Sequence, residues 1–290
     1  MTEHSSNPGP YPFPAPIPPE FEPPQSPLPS KERDLFGKEP PGDMIDWSHR
    51  KGEPRVFALL WMIFLLTTTA LMFARLATGV TISPTVSRPA SREMLLIVAI
   101  GMSILWPMTR LCQQIPRPSI VMSSVRDLVV VIVPMQAVIW PQRLIVLGGW
   151  SSEVVLALSL HMLAWGLVIA GSISLASLFI AGATHKTQRR TRALSMLGIM
   201  LIVFAFPILE LLTQTGVSVG PANANLGWML SPITGVMELT TDRSVLGKAA
   251  FAYNAHFRMI AAVACVGFAF LVFGKALENA RWVARRRIDP

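Results

Sequence analysis

The sequence predicts an all-α membrane protein that crosses the bilayer six times, and three observations carry that prediction. Charged residues make up only 14% of the 290, whereas soluble domains carry roughly 25%. The charges are gathered at the N-terminus and in short clusters, with long uncharged runs between them. At about 1.5 Å per helical residue, the longer runs reach across a hydrocarbon core of about 30 Å.

Residues 1–48 form a region apart from the transmembrane domain, 49–290. Thirteen of the 25 prolines fall there. Proline fixes φ and removes a backbone donor, so neither helix nor sheet propagates, and a disordered, extended tail is expected. The run PIPP (Pro16–Pro19) has the shape that aromatic grooves read, although a solvated spacer is the simpler reading. Between Asp43 and Arg55, Met44, Ile45 and Trp47 followed by Arg50, Lys51 and Arg55 suit a segment lying on lipid headgroups. No signal peptide precedes the first apolar run, so that run is expected to act as its own signal anchor. The C-terminal RRRIDP is neither a prenylation box nor a retention signal.

The first span is Val56–Leu76, uncharged before Arg75. The second centres on Met94–Met108, where Pro107 is expected to kink or end it. The third ends near Trp140. Starting it near Ser119 gives it sufficient length and brings Arg126 and Asp127 inside its end. The fourth, Val154–Ala183, is rich in small residues: Gly166, Ala170 and Ser174 recur every fourth position, followed by Ser177 and Ala181. The fifth is Leu194–Leu212, with Pro207 and Glu210 near its far end. The sixth is Met259–Leu277, with Ala261, Cys265 and Ala269 at the same four-residue spacing. Both ridges suit close helix approach in lipid, either within the chain or across a dimer.

Orientation follows from lysine and arginine, which collect on the cytoplasmic side. With the N-terminus inside, fifteen of them flank the inner ends of the spans and seven the outer. Both termini are therefore expected in the cytoplasm, and the membrane is expected to be the cell (inner) membrane. Lys186, Arg189, Arg190 and Arg192, with His185, form the densest cluster, and they anchor the turn between spans four and five. The net charge of +8 is accounted for by this bias. No zinc-finger spacing, RNA-binding aromatic motif or long basic arm points to nucleic acid as a partner. The partner the composition does require is the lipid bilayer.

Chemistry is sparse. There is no phosphate-binding GxxxxGK[ST] loop, HExxH, GxSxG or carboxylate pair, so no enzyme activity and no cofactor is expected. Cys112 and Cys265 are far apart and show no metal-ligand spacing. Ionisable residues within spans are costly and often functional. Arg75, His161 and Glu210 fall at similar depth in the outer half and together suit a polar cavity. Arg75 and Glu210 also lie close enough to span ends to snorkel to water. His161 suits a packing role better than a haem one, with His256 the other imidazole on that side. The long outer segment Thr213–Arg258 contains Asn225–Leu239, apolar at roughly helical spacing but interrupted by Pro232 and Gly235. Such a segment suits a dip into the bilayer and back.

Three of these features together resemble the permease subunits of ATP-binding-cassette exporters of the second type. They are the six spans with cytoplasmic ends, the passage GSISLASLFIAGATHKTQRRTRALSMLGI (171–199) from small-residue ridge to basic turn, and LSPITGVMEL (230–239) before the last span. The resemblance covers about Val56 to Leu277; the proline-rich tail lies outside it. It implies a homodimer with the pathway between two copies, a separate cytoplasmic ATPase, and an outer loop that forms the gate. It also implies a coupling segment between spans two and three, here Arg110–Asp127 with Arg117 and Arg126 within it. The other reading of the same spans is a structural or accessory subunit of a membrane complex.

Overall fold

Seven α-helices follow one another: α1 (Pro54–Ala77), α2 (Pro84–Cys112), α3 (Ile120–Ile139), α4 (Ser152–Gly182), α5 (Gln188–Thr213), the short α6 (Pro232–Thr240) and α7 (Asn254–Ile288). A computed structural model describes residues 54–77, 84–113, 119–184, 187–213, 225–242 and 250–288, and no β-strand occurs among them. All of them belong to one unit, Arg50–Pro290. The proline-rich tail and most of the headgroup segment lie outside the described residues. Six helices, all but α6, are long and apolar enough to span a bilayer. The protein is an all-α, multi-pass membrane protein.

The helices alternate in direction, as contacts at their ends show. At one end, Arg88 at the start of α2 reaches Gly148 after α3 and Asp242 after α6. At the other end, Arg110 near the close of α2 meets Asp127 in α3. There Arg192 of α5 reaches Cys112, and Arg281 of α7 reaches Leu178 of α4. The two ends are called here the α6 end and the opposite end.

Helix α4 is the axis of the bundle: 72% of its span is buried inside the protein, against 11% for α5. Its closest and most extensive partner is α7. Glycines set that approach. A Cβ on Gly267 would stand 2.6 Å from the Val168 nitrogen, and one on Gly171 would stand 2.5 Å from Phe270 Cβ. The ridge expected on α4 is buried from Gly166 to Ser177, and Gly166 lies against Leu128 and Ile132 of α3. The ridge expected on α7 divides differently. Ala261, Cys265 and Ala269 face outward, and it is Ile260, Val263, Gly267 and Leu271 that turn inward. Four-residue spacing marks a face that can approach closely, but not which face has a partner.

Several boundaries differ from expectation for identifiable reasons. Pro107 neither ends α2 nor shortens the span; it is buried, and the helix runs on to Cys112. Prolines also lie inside α3 and α5 (Pro134 and Pro207), as lipid-embedded bundles allow when neighbours satisfy the freed backbone. Elsewhere on α3, the Val131 carbonyl accepts the indole N–H of the fully buried Trp61 at 3.0 Å, tying α1 to α3. The third span does start at Ser119, whose hydroxyl caps the helix by accepting the Met122 amide. Helix α5 begins at Gln188, so Arg189, Arg190 and Arg192 stand on its first two turns and not in a loop.

Candidate functional site

Between α5 and α7 the chain folds back into the α6 end of the bundle. A 3₁₀ turn, Leu226–Leu230, leads to Ser231, and α6 follows. Pro232 does not interrupt this helix; it is the first residue inside it, where its missing N–H costs nothing. Ser231 Oγ accepts the Ile233 amide at 3.3 Å. Nine residues are far too few for an independent helix, so α6 exists because of what holds it. Trp165 of α4 donates its indole N–H to the Met229 carbonyl at 3.3 Å. Arg92 of α2 closes the far end, donating through Nε to Thr240 Oγ1 at 3.1 Å and through Nη2 to the Thr240 carbonyl at 2.5 Å. A cation there also complements the helix dipole. Asp242, just beyond, accepts from Arg88 at 3.2 Å and from the Ala250 amide at 3.1 Å.

The inward face of α6 carries Gly235 and Glu238, and both meet imidazoles. His256, in the first turn of α7, accepts the Tyr253 amide at Nδ1 over 3.0 Å. This is a capping-box geometry with histidine in place of the usual glutamate. An Nδ1 that accepts carries no proton, so the ring holds its proton on Nε2 and donates it to Glu238 Oε1 at 3.2 Å. Glu238 and His256 are both buried. On the other side, His161 of α4 is fully buried. Its ring lies within hydrogen-bonding reach of the Ser231 and Pro232 backbone at the start of α6. Its ring is pressed on Gly235: a Cβ there would stand 2.2 Å from Nε2 and 2.4 Å from Cε1. A glycine within a helix costs about 1 kcal/mol relative to alanine; here nothing larger fits.

Gly235→Ala is therefore expected to unseat α6, at about 1–3 kcal/mol for forced overpacking. Protease susceptibility of the 225–240 segment should rise, and the added change His161→Ala should reverse most of the rise. If Gly235→Ala alone leaves α6 as protected as before, the imidazole does not hold the helix in this way.

The opposite end is built of cross-helix ties. Arg110 Nε stands 2.5 Å from Asp127 Oδ2, with both side chains largely buried. The other guanidinium nitrogens bond Gln113 Oε1 at 2.9 Å and Ser123 Oγ. Glu278 of α7 accepts the Ile120 amide at 2.9 Å and the Ser119 hydroxyl at 3.2 Å, so a carboxylate sits at the positive start of α3. Arg281 bonds the Leu178 carbonyl in the last turn of α4, and Arg192 bonds the carbonyl of Cys112, the last residue of α2.

The sequence candidates thus divide. His161 lies in the polar cluster, but its companions are Gly235, Glu238 and His256. Arg75 and Glu210 have side chains outside the described part, as do Lys186 and His185, and Arg117 falls in an undescribed stretch. Arg110 and Asp127 are brought together and turned inward, whereas Arg126, Arg189 and Arg190 are exposed. Glu238 went unnoticed among the candidates, although it is the one charged residue in Asn225–Leu239. A lone carboxylate in an apolar segment was a readable signal. His256 was considered only as a haem partner, and both its nitrogens are now seen to be engaged. Arg88 and Arg92 counted only as topology charges; their role as ties to α6 depends on contacts about 150 residues away in sequence. Among the described residues no group of three or more His, Cys, Asp or Glu could hold a metal ion.

Comparison with family models, with characterised proteins and with solved structures gives no match.

Proposed function

We propose that this chain is the permease subunit of an ATP-driven exporter, set in the cell (inner) membrane with both termini cytoplasmic and working as a pair of copies with a separate cytoplasmic ATPase. The observation that carries this reading is the folded-back segment Leu226–Thr240. It enters one end of the bundle, rests on α2, α4 and α7, and is held by a few polar ties over buried ionisable groups. A short element held in that way is suited to close and open a pathway. On the positive-inside count, the α6 end faces outward and the opposite end faces the cytoplasm. There the helix ends are joined into one unit, and Arg126, Arg189 and Arg190 remain on the surface for an ATPase to engage. The chain has no phosphate-binding loop, so the energy must come from another polypeptide.

The sparse packing of α5, only 11% buried along its span, supports a lateral partner, and a second copy is the partner this reading supplies. That same flank also suits an accessory subunit docked on a larger membrane complex, which is the alternative reading. Affinity purification in mild detergent separates the two. The exporter reading expects an ATPase subunit in stoichiometric amount, released when Arg126 and Arg190 are changed to glutamate. An intact complex with other membrane proteins and no ATPase overturns it in favour of the accessory role.

A further inference from the structure

The turn between α3 and α4 holds apolar side chains outward. After Ile139 the chain makes a 3₁₀ turn, Trp140–Arg143, and runs through Leu144, Ile145 and Val146 before Leu147 and Trp150 enter the core. Leu144, Ile145 and Val146 are each more than half exposed, Ile145 by 73%, and Trp140 beside them is exposed as well. The turn is nevertheless tightly built. The Leu144 amide donates to the Pro141 carbonyl at 2.9 Å, and the Leu147 and Gly149 amides both donate to the Leu144 carbonyl at 2.9 Å. The Trp150 amide closes the turn on the Gln142 carbonyl at 3.3 Å. Gly149 makes the reversal at a φ of 60°, a conformation that side chains disfavour. Adjacent exposed apolar side chains on a fixed element mark a contact surface.

We propose that the knuckle Leu144–Val146 is seated in the bilayer surface at the α6 end, and that it steadies the close of α6 through Arg88. Lipid is the occupant for several reasons. Val129, Val133, Ala137 and Trp140 form one exposed stripe along the span that α3 makes, and the knuckle continues that stripe. Trp140 and Arg143 are both exposed; tryptophan gathers at the headgroup level, and arginine lays its stem on apolar surface while its charge stays in water. The turn pairs its own amides, as backbone leaving water must. Just beyond it, Ser151, Ser152 and Glu153 are all exposed, so the polar surface resumes there. The link to α6 is a single side chain. The Gly148 carbonyl, two residues past the knuckle, accepts from Arg88 Nε at 3.0 Å, and the same guanidinium donates to Asp242 Oδ1 at 3.2 Å. Asp242 also holds the Ala250 amide, so it gathers the chain just after α6 and just before α7. Gly148 is packed into the turn: an added Cβ would stand 2.6 Å from the Trp150 ring and 2.9 Å from the Gln142 carbonyl oxygen. A knuckle that leaves the lipid therefore carries the anchor of Arg88 with it.

The test introduces Ile145→Cys, Val133→Cys or Glu153→Cys singly into full-length protein carrying Cys112→Ser and Cys265→Ser, in nanodiscs of phosphatidylcholine. A nitroxide on each cysteine is relaxed by oxygen, which partitions into hydrocarbon, or by a nickel chelate, which stays in water. The label at 145 is expected to show an oxygen-to-chelate ratio several-fold above that at 153 and nearer to that at the lipid-facing 133. A ratio at 145 equal to that at 153 puts the knuckle in water. Shielding from both reagents puts it against protein, a second copy included. Either result overturns the proposal. The link to α6 is read from a nitroxide on Thr241→Cys, exposed just after α6. Leu144→Ser, Ile145→Ser and Val146→Ser together should raise its mobile component, Arg88→Gln should do the same, and the two sets combined should add little to either. Ile145→Ser alone serves should the triple change disturb folding. An unchanged spectrum in a folded knuckle variant, or full additivity with Arg88→Gln, overturns the link. None of this uses the exporter reading, and the outcome is the same whether or not an ATPase copurifies.

Discussion

Arg110→Met, with Asp127 left in place, is expected to destabilise the protein by about 3–5 kcal/mol, the typical cost of removing one partner of a buried ion pair. Arg110 and Asp127 side chains are only 10% and 2% exposed, and their charges meet at 2.5 Å. Without the guanidinium, the carboxylate would stay buried between α2 and α3, and Ser123 and Gln113 would lose a bonded neighbour. Thermal unfolding of the purified protein in detergent, followed by tryptophan fluorescence, measures the loss. The double change Arg110→Met with Asp127→Leu should recover most of it, since replacing both charges with packed apolar groups is often neutral. A single variant as stable as the parent would mean that water reaches the pair and that the two helices are not closed upon each other at this end. The same double variant separates structure from coupling. If the fold recovers and an ATPase still binds but is no longer stimulated, the pair also transmits motion.

The second large effect is expected at Gly267. Alanine there would place Cβ 2.6 Å from the Val168 nitrogen and 2.7 Å from the Leu167 carbonyl carbon. Both obstacles include backbone atoms of α4, so no rotamer change relieves the clash and the two helices must move apart. Overpacking of this kind costs about 1–3 kcal/mol, and valine or leucine should cost more. Gly171 faces the same seam, where an added Cβ would meet Phe270 Cβ at 2.5 Å and the Gly267 carbonyl at 3.1 Å. Once one substitution has parted the helices, the second should cost less than it does alone, a coupling that a double-mutant cycle reads. Gly198 on α5 is the internal control, because no heavy atom lies within 4 Å of the position its Cβ would take. Gly198→Ala should be neutral or stabilising, by up to about 1 kcal/mol. The unfolding midpoints of the three single variants check the ranking. Equal midpoints for Gly267→Ala and the parent would contradict the close approach of α4 and α7.

The spans were legible because lipid imposes a rule on composition. A backbone in hydrocarbon must satisfy its own hydrogen bonds, so an apolar run of sufficient length has to be a helix. Val56–Leu76 and Leu194–Leu212 each fall within one observed helix for that reason, and Val154–Ala183 overruns α4 by one residue. Ser119 was legible as the start of α3 because the run from Leu128 to Trp140 alone was too short to cross. Of the two outcomes expected at Pro107, a kink or an end, the end does not occur. Inside this bundle the position is buried and the helix continues.

The polar cluster was only half visible. His161 stood out as an ionisable residue in an apolar span. That its partner face would be Gly235, and that His256 would be committed at both nitrogens, depended on the fold-back of α6 onto α2 and α4. Helical spacing showed that Asn225–Leu239 had an apolar face, and Pro232 read as an interruption until Ser231 placed it at a helix start. The outward turn of Ala261, Cys265 and Ala269 shows the same limit. In lipid, apolar residues suit both faces of a helix, so hydropathy alone does not tell the inside from the outside.

What the sequence determined by itself, then, is the class: six apolar helices, because chain length, uncharged runs and the backbone's need for partners leave no other way to cross a membrane. What only the tertiary structure decided is which faces meet and which charges pair. Arg92 closes α6, Arg110 neutralises Asp127, and His161 is pressed against Gly235. Those outcomes turn on distances of a few ångströms between residues far apart in the chain, and no local pattern in sequence encodes them.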